Sequence, residues 1–361
     1  MGKALRVAMA MKNFNVGGVQ TYVYTVTKTL LELGVSVLVV AAAPTGPLLP
    51  KFAALGCDVR GIDAEHAASL PRSLLEEGVS VINAHHADVA LLLSGAAAAA
   101  GIPLVFTVHY RGDGNLALKS AVSHYVSVSP ALQAWLRANG IESVVVPNAI
   151  DTERFRDRGS GLRSVCGIDP GVPVLAYASR LHRKKGEIGK LVLEAFDREL
   201  AETFPEAHLL MAGDGADAEW LSGLARKSRH ASRIHTLGYV EQMPEFYSAA
   251  SVVVGTGRIA LEAMSCERVV VAVGVKGDVG LVTPPLYDYA WRKYYGDHGA
   301  DWRPTAGSIA GASRIALSSP SLRSEWGRRG REEMIRRFDR LQVARILMRL
   351  YERVRREGDA G

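Results

Sequence analysis

Short runs of apolar residues alternate along the chain with longer segments in which apolar residues recur at helical spacing. In the first half, the short runs predict strands at residues 5–11, 35–40, 79–83, 104–108, 124–128 and 143–146. Helices are predicted at 18–33, 87–100 and 130–139. The last of these has clear boundaries, because Ser129 can cap it, Pro130 suits its first position and Gly140 follows its end. This alternation predicts a parallel sheet covered by helices on both faces.

The second half repeats the alternation after an irregular stretch at 156–171. Strands are predicted at 172–178, 207–212, 234–237, 251–254 and 268–273, and helices at 187–202, 216–228, 243–249 and 257–266. A region near 304–324 reads as irregular, and a final amphipathic segment covers 341–356. We therefore expect an α/β fold of two doubly wound, Rossmann-like domains that face each other across a cleft. A chain of 361 residues can build both cores.

Composition agrees with a globular enzyme, since 48% of the residues are hydrophobic. No apolar run reaches the roughly 18 residues that span a bilayer, and the first residues lack the features of a signal peptide. The three cysteines have no metal-ligand spacing and are interpreted as reduced thiols. We expect a cytoplasmic protein.

The formal net charge is +6, and many arginines fall between Arg323 and Arg356. They can form a solvated helix face, or they can attract an anionic membrane surface or a phosphate-bearing substrate. Peripheral association with the inner membrane surface would follow from the second interpretation. No basic motif interleaved with aromatic residues indicates a nucleic-acid partner.

Candidate chemistry in the first half follows the predicted strands, because ligands of open α/β sheets bind beyond the carboxyl ends of the strands. Gly17 and Gly18 precede a helix, so a ligand could approach the backbone and an anion could meet the helix N-terminus. A tight turn without a ligand is the alternative. His109 follows the strand at 104–108, and His85 and His86 follow the strand before it. No further ligands with suitable spacing are visible, and a metal site is rejected.

In the second half, five basic residues follow the strand at 172–178, namely Arg180, His182, Arg183, Lys184 and Lys185. Their position at a strand end favours a pyrophosphate site over a solvated loop, since arginine and lysine both bind phosphate oxygens. Residues 213–218 fit a loose dinucleotide fingerprint. We interpret them as a packing device, because that motif normally belongs to the first strand of such a domain.

The segment 252–264 combines a buried strand, a Gly-Thr-Gly turn and a helix that opens at Gly257. Arg258 and Glu262 lie one turn apart on that helix. They can form an ordinary ion pair, but a cation in the first turn opposes the helix dipole, and arginine before glutamate is the weaker order. A bound anion at this terminus would explain the arrangement, with Glu262 accepting hydrogen bonds from ribose hydroxyls.

In their order and spacing, these motifs resemble those of the retaining GT-B glycosyltransferases of family four. The resemblance rests on residues 17–20, 107–109, 146–155, 180–181, 185–186, 212–215, 237–240 and 261–264. The segment 338–356 resembles the last helix of that family, which crosses back onto the first domain. The resemblance implies an acceptor-side domain at 1–162 with 339–357, and a donor-binding domain at 163–338.

The resemblance also implies roles. His109, Arg180 and Lys185 would be catalytic, His109 beside the transferred sugar and the two cations neutralising the leaving diphosphate. Arg180 and Lys185 would also bind the donor, together with Gly17, Gly18, Gly257, Arg258 and Glu262. No cofactor and no metal would be needed. The donor would be a nucleotide sugar such as a UDP- or GDP-sugar, and the acceptor a glycan, a lipid-linked intermediate or a small molecule in cell-envelope or polysaccharide synthesis.

One departure from that family keeps a second hypothesis open. The family usually has a first glutamate eight positions before the second, and Val254 stands there in this chain. A catalytically impaired homologue that still binds nucleotide sugars is therefore the alternative. A third hypothesis, an NAD-dependent dehydrogenase, rests only on the fingerprint at Gly213. The segment 276–301 suggests no role.

Overall fold

The computed structural model describes residues 4–62, 69–182 and 184–359. The chain divides into two compact units. Unit 1 comprises residues 1–149 and 339–361, and unit 2 comprises residues 150–338. We describe the two units separately.

The first stretch of unit 1 alternates strands and helices as the sequence predicts, with an unpredicted strand at 58–61 and unpredicted short helices at 49–53, 70–76 and 113–116. Its strands are β1 (Arg6–Met11), β2 (Ser36–Ala41), β3 (Asp58–Gly61), β4 (Val81–Ala84), β5 (Leu104–Val108), β6 (His124–Ser127) and β7 (Ser143–Val145). Its helices are α1 (Gly18–Glu32), α2 (Leu49–Ala53), α3 (Leu70–Glu76), α4 (Ala87–Ala100), α5 (Asp113–Leu116) and α6 (Pro130–Ala138). The predicted cap of α6 is present, because the Ser129 side chain accepts a hydrogen bond from the Leu132 N–H.

Unit 2 repeats the alternation. Its strands are β8 (Val174–Ala178), β9 (His208–Ala212), β10 (Ile234–Thr236), β11 (Val252–Gly255), β12 (Val269–Gly274) and β13 (Gly277–Val282). Its helices are α7 (Leu162–Val165), α8 (Lys184–Ala195), α9 (Ala201–Thr203), α10 (Ala218–Arg226), α11 (Met243–Ala249), α12 (Arg258–Ser265), α13 (Tyr287–Arg292), α14 (Ala306–Ser318) and α15 (Pro320–Phe338). A π-helical turn (Phe196–Leu200) joins α8 to α9. The chain ends in α16 (Arg340–Asp359), which belongs to unit 1.

Within the described residues, unit 1 has a seven-stranded parallel sheet with the order β3-β2-β1-β4-β5-β6-β7. The described part of unit 2 has a six-stranded sheet with the order β10-β9-β8-β11-β12-β13, in which β13 alone is antiparallel to its neighbour. The prediction of two doubly wound α/β units is confirmed. The strand order reverses between β1 and β4 in unit 1 and between β8 and β11 in unit 2, where such sheets bind ligands.

Helices α1 and α16 together cover one face of the first sheet. Apolar side chains of α16 recur three or four residues apart and are buried in the same cluster as those of α1; they are Val343, Ala344, Leu347, Leu350, Tyr351 and Val354. The other face packs against α3, α4 and α6 through a second cluster. The C-terminal helix therefore completes the core of unit 1, as the resemblance implied.

The boundary between the units lies earlier in the chain than we expected. Residues 150–162 belong to unit 2 and not to the first domain. The Ile150 N–H donates to the Phe338 carbonyl at 2.8 Å. The Arg331 guanidinium donates to the carbonyls of Thr152 and Phe155 at 3.0 and 3.1 Å. These hydrogen bonds tie the segment to the end of unit 2, and the sequence has no local signal for them.

The prediction of an irregular region near 304–324 is wrong, since α14 and the start of α15 occupy it. Helix α14 contains Gly307, Gly311 and several serines, which are weak helix formers, and this weakens its pattern in the sequence. It begins with a capping box between Thr305 and Ser308 and buries Ile309 and Leu317 in the core of unit 2. Packing therefore outweighs its low intrinsic propensity.

None of the helices in the described part of the chain combines the length and the apolar character that a membrane span requires.

Candidate active site

The N-terminus of α1 follows β1, at the point where the strand order of unit 1 reverses. Gly17 is extended, with φ −172°, and a side chain at Gly18 would meet no atom within 4 Å. Neither glycine has a positive φ, so no left-handed backbone conformation requires glycine at these two positions. The two glycines leave the N–H groups at the start of a 15-residue helix without side chains beside them. This terminus is suited to an anionic ligand.

Two histidines of unit 1 lie side by side at the carboxyl ends of neighbouring strands. His85 follows β4 and His109 follows β5, and the His85 Nδ1 and His109 Nε2 atoms are 3.1 Å apart. The Tyr22 ring of α1 packs edge-on against both rings, with centroids 5.6 Å from His85 and 5.0 Å from His109. His85 is 1% exposed, and burial lowers its pKa well below the usual value, with smaller contributions from His109 and His86. His85 is therefore neutral at physiological pH.

A buried hydrogen-bond network lies one step back along the same two strands. The Thr107 hydroxyl donates to the Asn83 Oδ1 at 2.9 Å, and the Asn83 amide donates to the Tyr351 hydroxyl of α16. Asn83 and Thr107 precede the two histidines by two positions, so they point to the same face of the sheet. The network ties β4, β5 and α16 together beneath the histidine pair. Sequence reasoning missed it, because its members are far apart in the chain.

The basic turn of unit 2 lies at the carboxyl end of β8. Arg180 is exposed and Lys185 is half-buried. Neither side chain forms an ion pair or hydrogen bond with any residue that the structure describes. Lys185 lies in the first turn of α8, and its carbonyl accepts a hydrogen bond from the buried Tyr177 hydroxyl at 2.9 Å. Arg183 lies outside the described residues.

The glycines of the fingerprint-like segment press against this basic turn. A Cβ added to Gly213 would come within 1.9 Å of the Ser179 carbonyl oxygen, and one at Gly215 within 2.3 Å of the Leu181 carbonyl oxygen. Both glycines have positive φ, +143° and +130°. The Leu181 N–H also donates to the Asp214 carbonyl at 2.7 Å. The segment thus acts in packing, as we interpreted it, and it holds the turn that carries Arg180.

The helix that opens at Gly257 contains the expected ion pair. The Arg258 Nε donates to the Glu262 Oε1 at 2.7 Å, and the Tyr247 hydroxyl donates to the Glu262 Oε2 at 3.0 Å. Glu262 is only 5% exposed. An ionised carboxylate can accept about four hydrogen bonds, so two accepting positions remain. The ordinary ion-pair interpretation is therefore observed, and a role for Glu262 in binding ribose stays a prediction.

The segment 293–299, to which the sequence assigned no role, lies against the start of α12. The Thr256 hydroxyl donates to the Tyr295 carbonyl at 2.8 Å. A Cβ at Gly257 would lie 3.1 Å from the Asp297 Oδ2 and 3.2 Å from the Tyr294 ring. A carboxylate thus already faces the positive end of this helix, beside the residue that we expected to meet an anion. The sequence signal for this segment was the turn at Gly296 and Gly299, but no sequence pattern indicates where that turn packs.

Strand pairing decides which predicted residues come together in unit 2. Leu175 of β8 pairs with Val252 of β11 in parallel, so the two strands end side by side. The basic turn after β8 and the Gly-Thr-Gly turn after β11 therefore lie at adjacent strand ends. In unit 1, β1 pairs with β4 and β4 pairs with β5, so the start of α1 lies next to the histidine pair. Among the described residues, no three His, Cys, Asp or Glu side chains are grouped to hold a metal ion.

Two family models match this chain in succession. The model described as Glycosyltransferase Family 4 matches residues 16–154, and the model described as Glycosyl transferases group 1 matches residues 172–285. The chain belongs to the group 1, family 4-like glycosyltransferases. Its two sheets have the GT-B architecture of the family.

Curated relatives of this glycosyltransferase are distant. A phosphatidyl-myo-inositol mannosyltransferase of Mycobacterium tuberculosis is 25% identical over 95% of this chain and 94% of its own length. An alpha-maltose-1-phosphate synthase of the same species is 25% identical over 58% of this chain. That alignment spans only 56% of the synthase.

Solved structures agree on the fold. A glycosyltransferase from Rickettsia africae superimposes with a TM-score of 0.78 at 14% identity, covering 97% of this chain and 98% of the other. Anabaena HepE, solved in complex with UDP, superimposes with a TM-score of 0.76 at 16% identity, covering 96% of this chain and all of the other.

Val254, the departure that motivated the second hypothesis, has a structural explanation. It lies inside β11, is fully buried and belongs to the core of unit 2. Only Thr256 and Gly257 separate that strand from α12. The position eight residues before Glu262 therefore lies in the core of unit 2 and not in a loop at the strand end. The glycosyltransferase has a short turn here, and a carboxylate at position 254 would be buried in the sheet.

Proposed function

We propose that this glycosyltransferase moves a sugar from a nucleoside-diphosphate sugar to an acceptor hydroxyl, with retention of configuration and without a metal or cofactor. One observation carries the proposal. Arg180 and Lys185 lie at the strand-order reversal of unit 2 without an anionic partner among the described residues. Two uncompensated cations beside a helix N-terminus suit a diphosphate, which leaves with a negative charge that they stabilise.

The donor and acceptor follow from chemistry and from the relatives. HepE has been solved with UDP and with UDP-glucose, which supports a uridine nucleotide as the donor. The mannosyltransferase relative acts, by its name, on a phosphatidylinositol lipid. A lipid-linked or glycan acceptor at the inner membrane surface fits the arginine-rich C-terminal region. Retention is what the resemblance to the family implies.

The first experiment is a thermal-shift screen with UDP-, GDP- and ADP-sugars. A donor at about 100 times its dissociation constant stabilises the fold by about 2.7 kcal/mol, which is roughly 5–11 °C for a unit of this size. Lys185→Ala should abolish most of that shift. Lys190→Ala is the matched control, because Lys190 lies on the same helix but pairs with Glu194 at 3.9 Å. Equal shifts in both variants would refute the diphosphate site.

Turnover separates the proposal from the impaired-homologue alternative. Transfer or slow hydrolysis of the sugar, with the product anomer read by NMR, should retain the donor configuration and continue in excess EDTA. Binding without any turnover would favour the non-catalytic alternative. That alternative was motivated by Val254, which lies buried in β11 where the family usually has its first glutamate.

A further inference from the structure

His85 is a buried titratable group that the proposed function does not use. Its ring lies 3.1 Å from His109, and its other ring nitrogen, Nε2, is buried without a hydrogen-bond partner among the described residues. Burial and the neighbouring rings lower its pKa, so a doubly protonated ring is disfavoured. His85 is therefore neutral and carries a single proton, on Nδ1 or on Nε2.

Only two proton arrangements give a hydrogen bond between these rings. In the first, the His85 Nδ1–H donates to the His109 Nε2, and the buried His85 Nε2 is a bare lone pair. In the second, the His109 Nε2–H donates to the His85 Nδ1, and the His85 Nε2 carries a buried N–H without an acceptor. Buried N–H groups without partners are rarer in proteins than acceptors without partners. The first arrangement is favoured.

We propose that His85 is a positioning residue that fixes His109 as the Nδ1–H tautomer, so that His109 donates a hydrogen bond to the transferred sugar and does not act as a base. The inference rests on the proposed function for the role of His109. The His109 Nε2 accepts the hydrogen bond from the His85 Nδ1–H, so the proton of His109 is on its Nδ1. The edge-on Tyr22 ring and the network of Asn83 and Thr107 hold both rings in register.

The tautomer can be read without substrate. The full chain labelled with 15N-histidine gives long-range 1H–15N correlations that distinguish the Nδ1–H from the Nε2–H form, with His109 assigned from the spectrum of His109→Gln. The wild type should show His109 as Nδ1–H. His85→Asn should keep that form, because its amide N–H replaces the Nδ1–H, whereas His85→Leu should convert His109 largely to Nε2–H. An Nε2–H form in the wild type would overturn the proposal, whether or not the enzyme is active.

Kinetics test the second half of the proposal. His85→Leu should lower kcat by on the order of tenfold or more, as loss of a transition-state hydrogen-bond donor does, with a smaller effect on KM. His85→Asn should recover most of that loss. The matched control is His208→Leu, which removes a ring from the other histidine pair, 2.9 Å apart in unit 2, and should change neither the tautomer nor kcat. If His85→Leu changes the tautomer of His109 but kcat stays at the wild-type value, the role of His109 as a hydrogen-bond donor to the sugar is overturned.

Discussion

Replacing Gly213 by alanine tests how the structure places the basic turn. The added Cβ would lie 1.9 Å from the Ser179 carbonyl oxygen, although real Cβ contacts essentially never fall below 3.0 Å. The two segments must therefore separate by about 1.1 Å. Ser179 directly precedes Arg180, so the cation that we place on the diphosphate moves with it.

The cost has two parts. An alanine at φ +143° is strained by about 1–3 kcal/mol. The separation also weakens two backbone hydrogen bonds, from Ser179 to the Ala212 carbonyl at 3.1 Å and from Gly213 to the Gly238 carbonyl at 2.8 Å, each contributing about 1 kcal/mol. The sum of about 3–5 kcal/mol corresponds to a fall in Tm of roughly 6–20 °C for a unit of this size.

Differential scanning fluorimetry with and without the donor measures both effects. Gly213→Ala should lose stability and, because a displacement of about 1 Å disrupts a binding constellation, most of the donor-dependent shift. Gly171→Ala is the control, since Gly171 also has a positive φ, +87°, but its added Cβ meets no atom within 4 Å. That variant should lose only about 1–2 kcal/mol and keep the donor response. If both variants behave alike, the close approach of the two turns does not position Arg180.

Three further predictions test other parts of the structure. Leu347→Ala should destabilise unit 1 by about 2–5 kcal/mol in denaturant titration, because it opens a cavity beneath α16; a change below 1 kcal/mol would show that this helix is not part of the core. Val254→Glu should lower Tm by several degrees without increasing activity, since it buries a charge in β11; a stable and more active variant would make position 254 a site residue. The lowered pKa of His85 means that, below pH 6.5, the unfolded chain binds a proton that the folded chain does not. Stability should therefore fall with pH below that value, by at most about 1.4 kcal/mol per unit for this group, and His85→Asn should show a shallower fall in urea titrations from pH 7 to 5.

The sequence predicted most of the elements near the candidate site, because their signals are local. Buried parallel strands read as short runs of valine and isoleucine, and the glycines and cations that follow them mark the carboxyl edges of the sheets. Arg180, Lys185 and Gly257 were selected as candidates in this way, as were Gly17, Gly18 and His109. Helix α14 was missed, because its propensity is low and its stability comes from packing.

The sequence by itself determined the alternation of strands and helices, and with it two largely parallel sheets and the positions of the turns that follow their parallel strands. Only the tertiary structure decided what those turns contact. The His85–His109 pair, the Tyr351–Asn83–Thr107 network and the packing of 293–299 on α12 join residues that lie far apart in the chain. The periodicity of apolar residues determines whether a segment is a helix or a strand and which of its faces is buried. The contacts named here depend instead on strand order and on which helix covers which face of the sheet. No local sequence pattern encodes either of these.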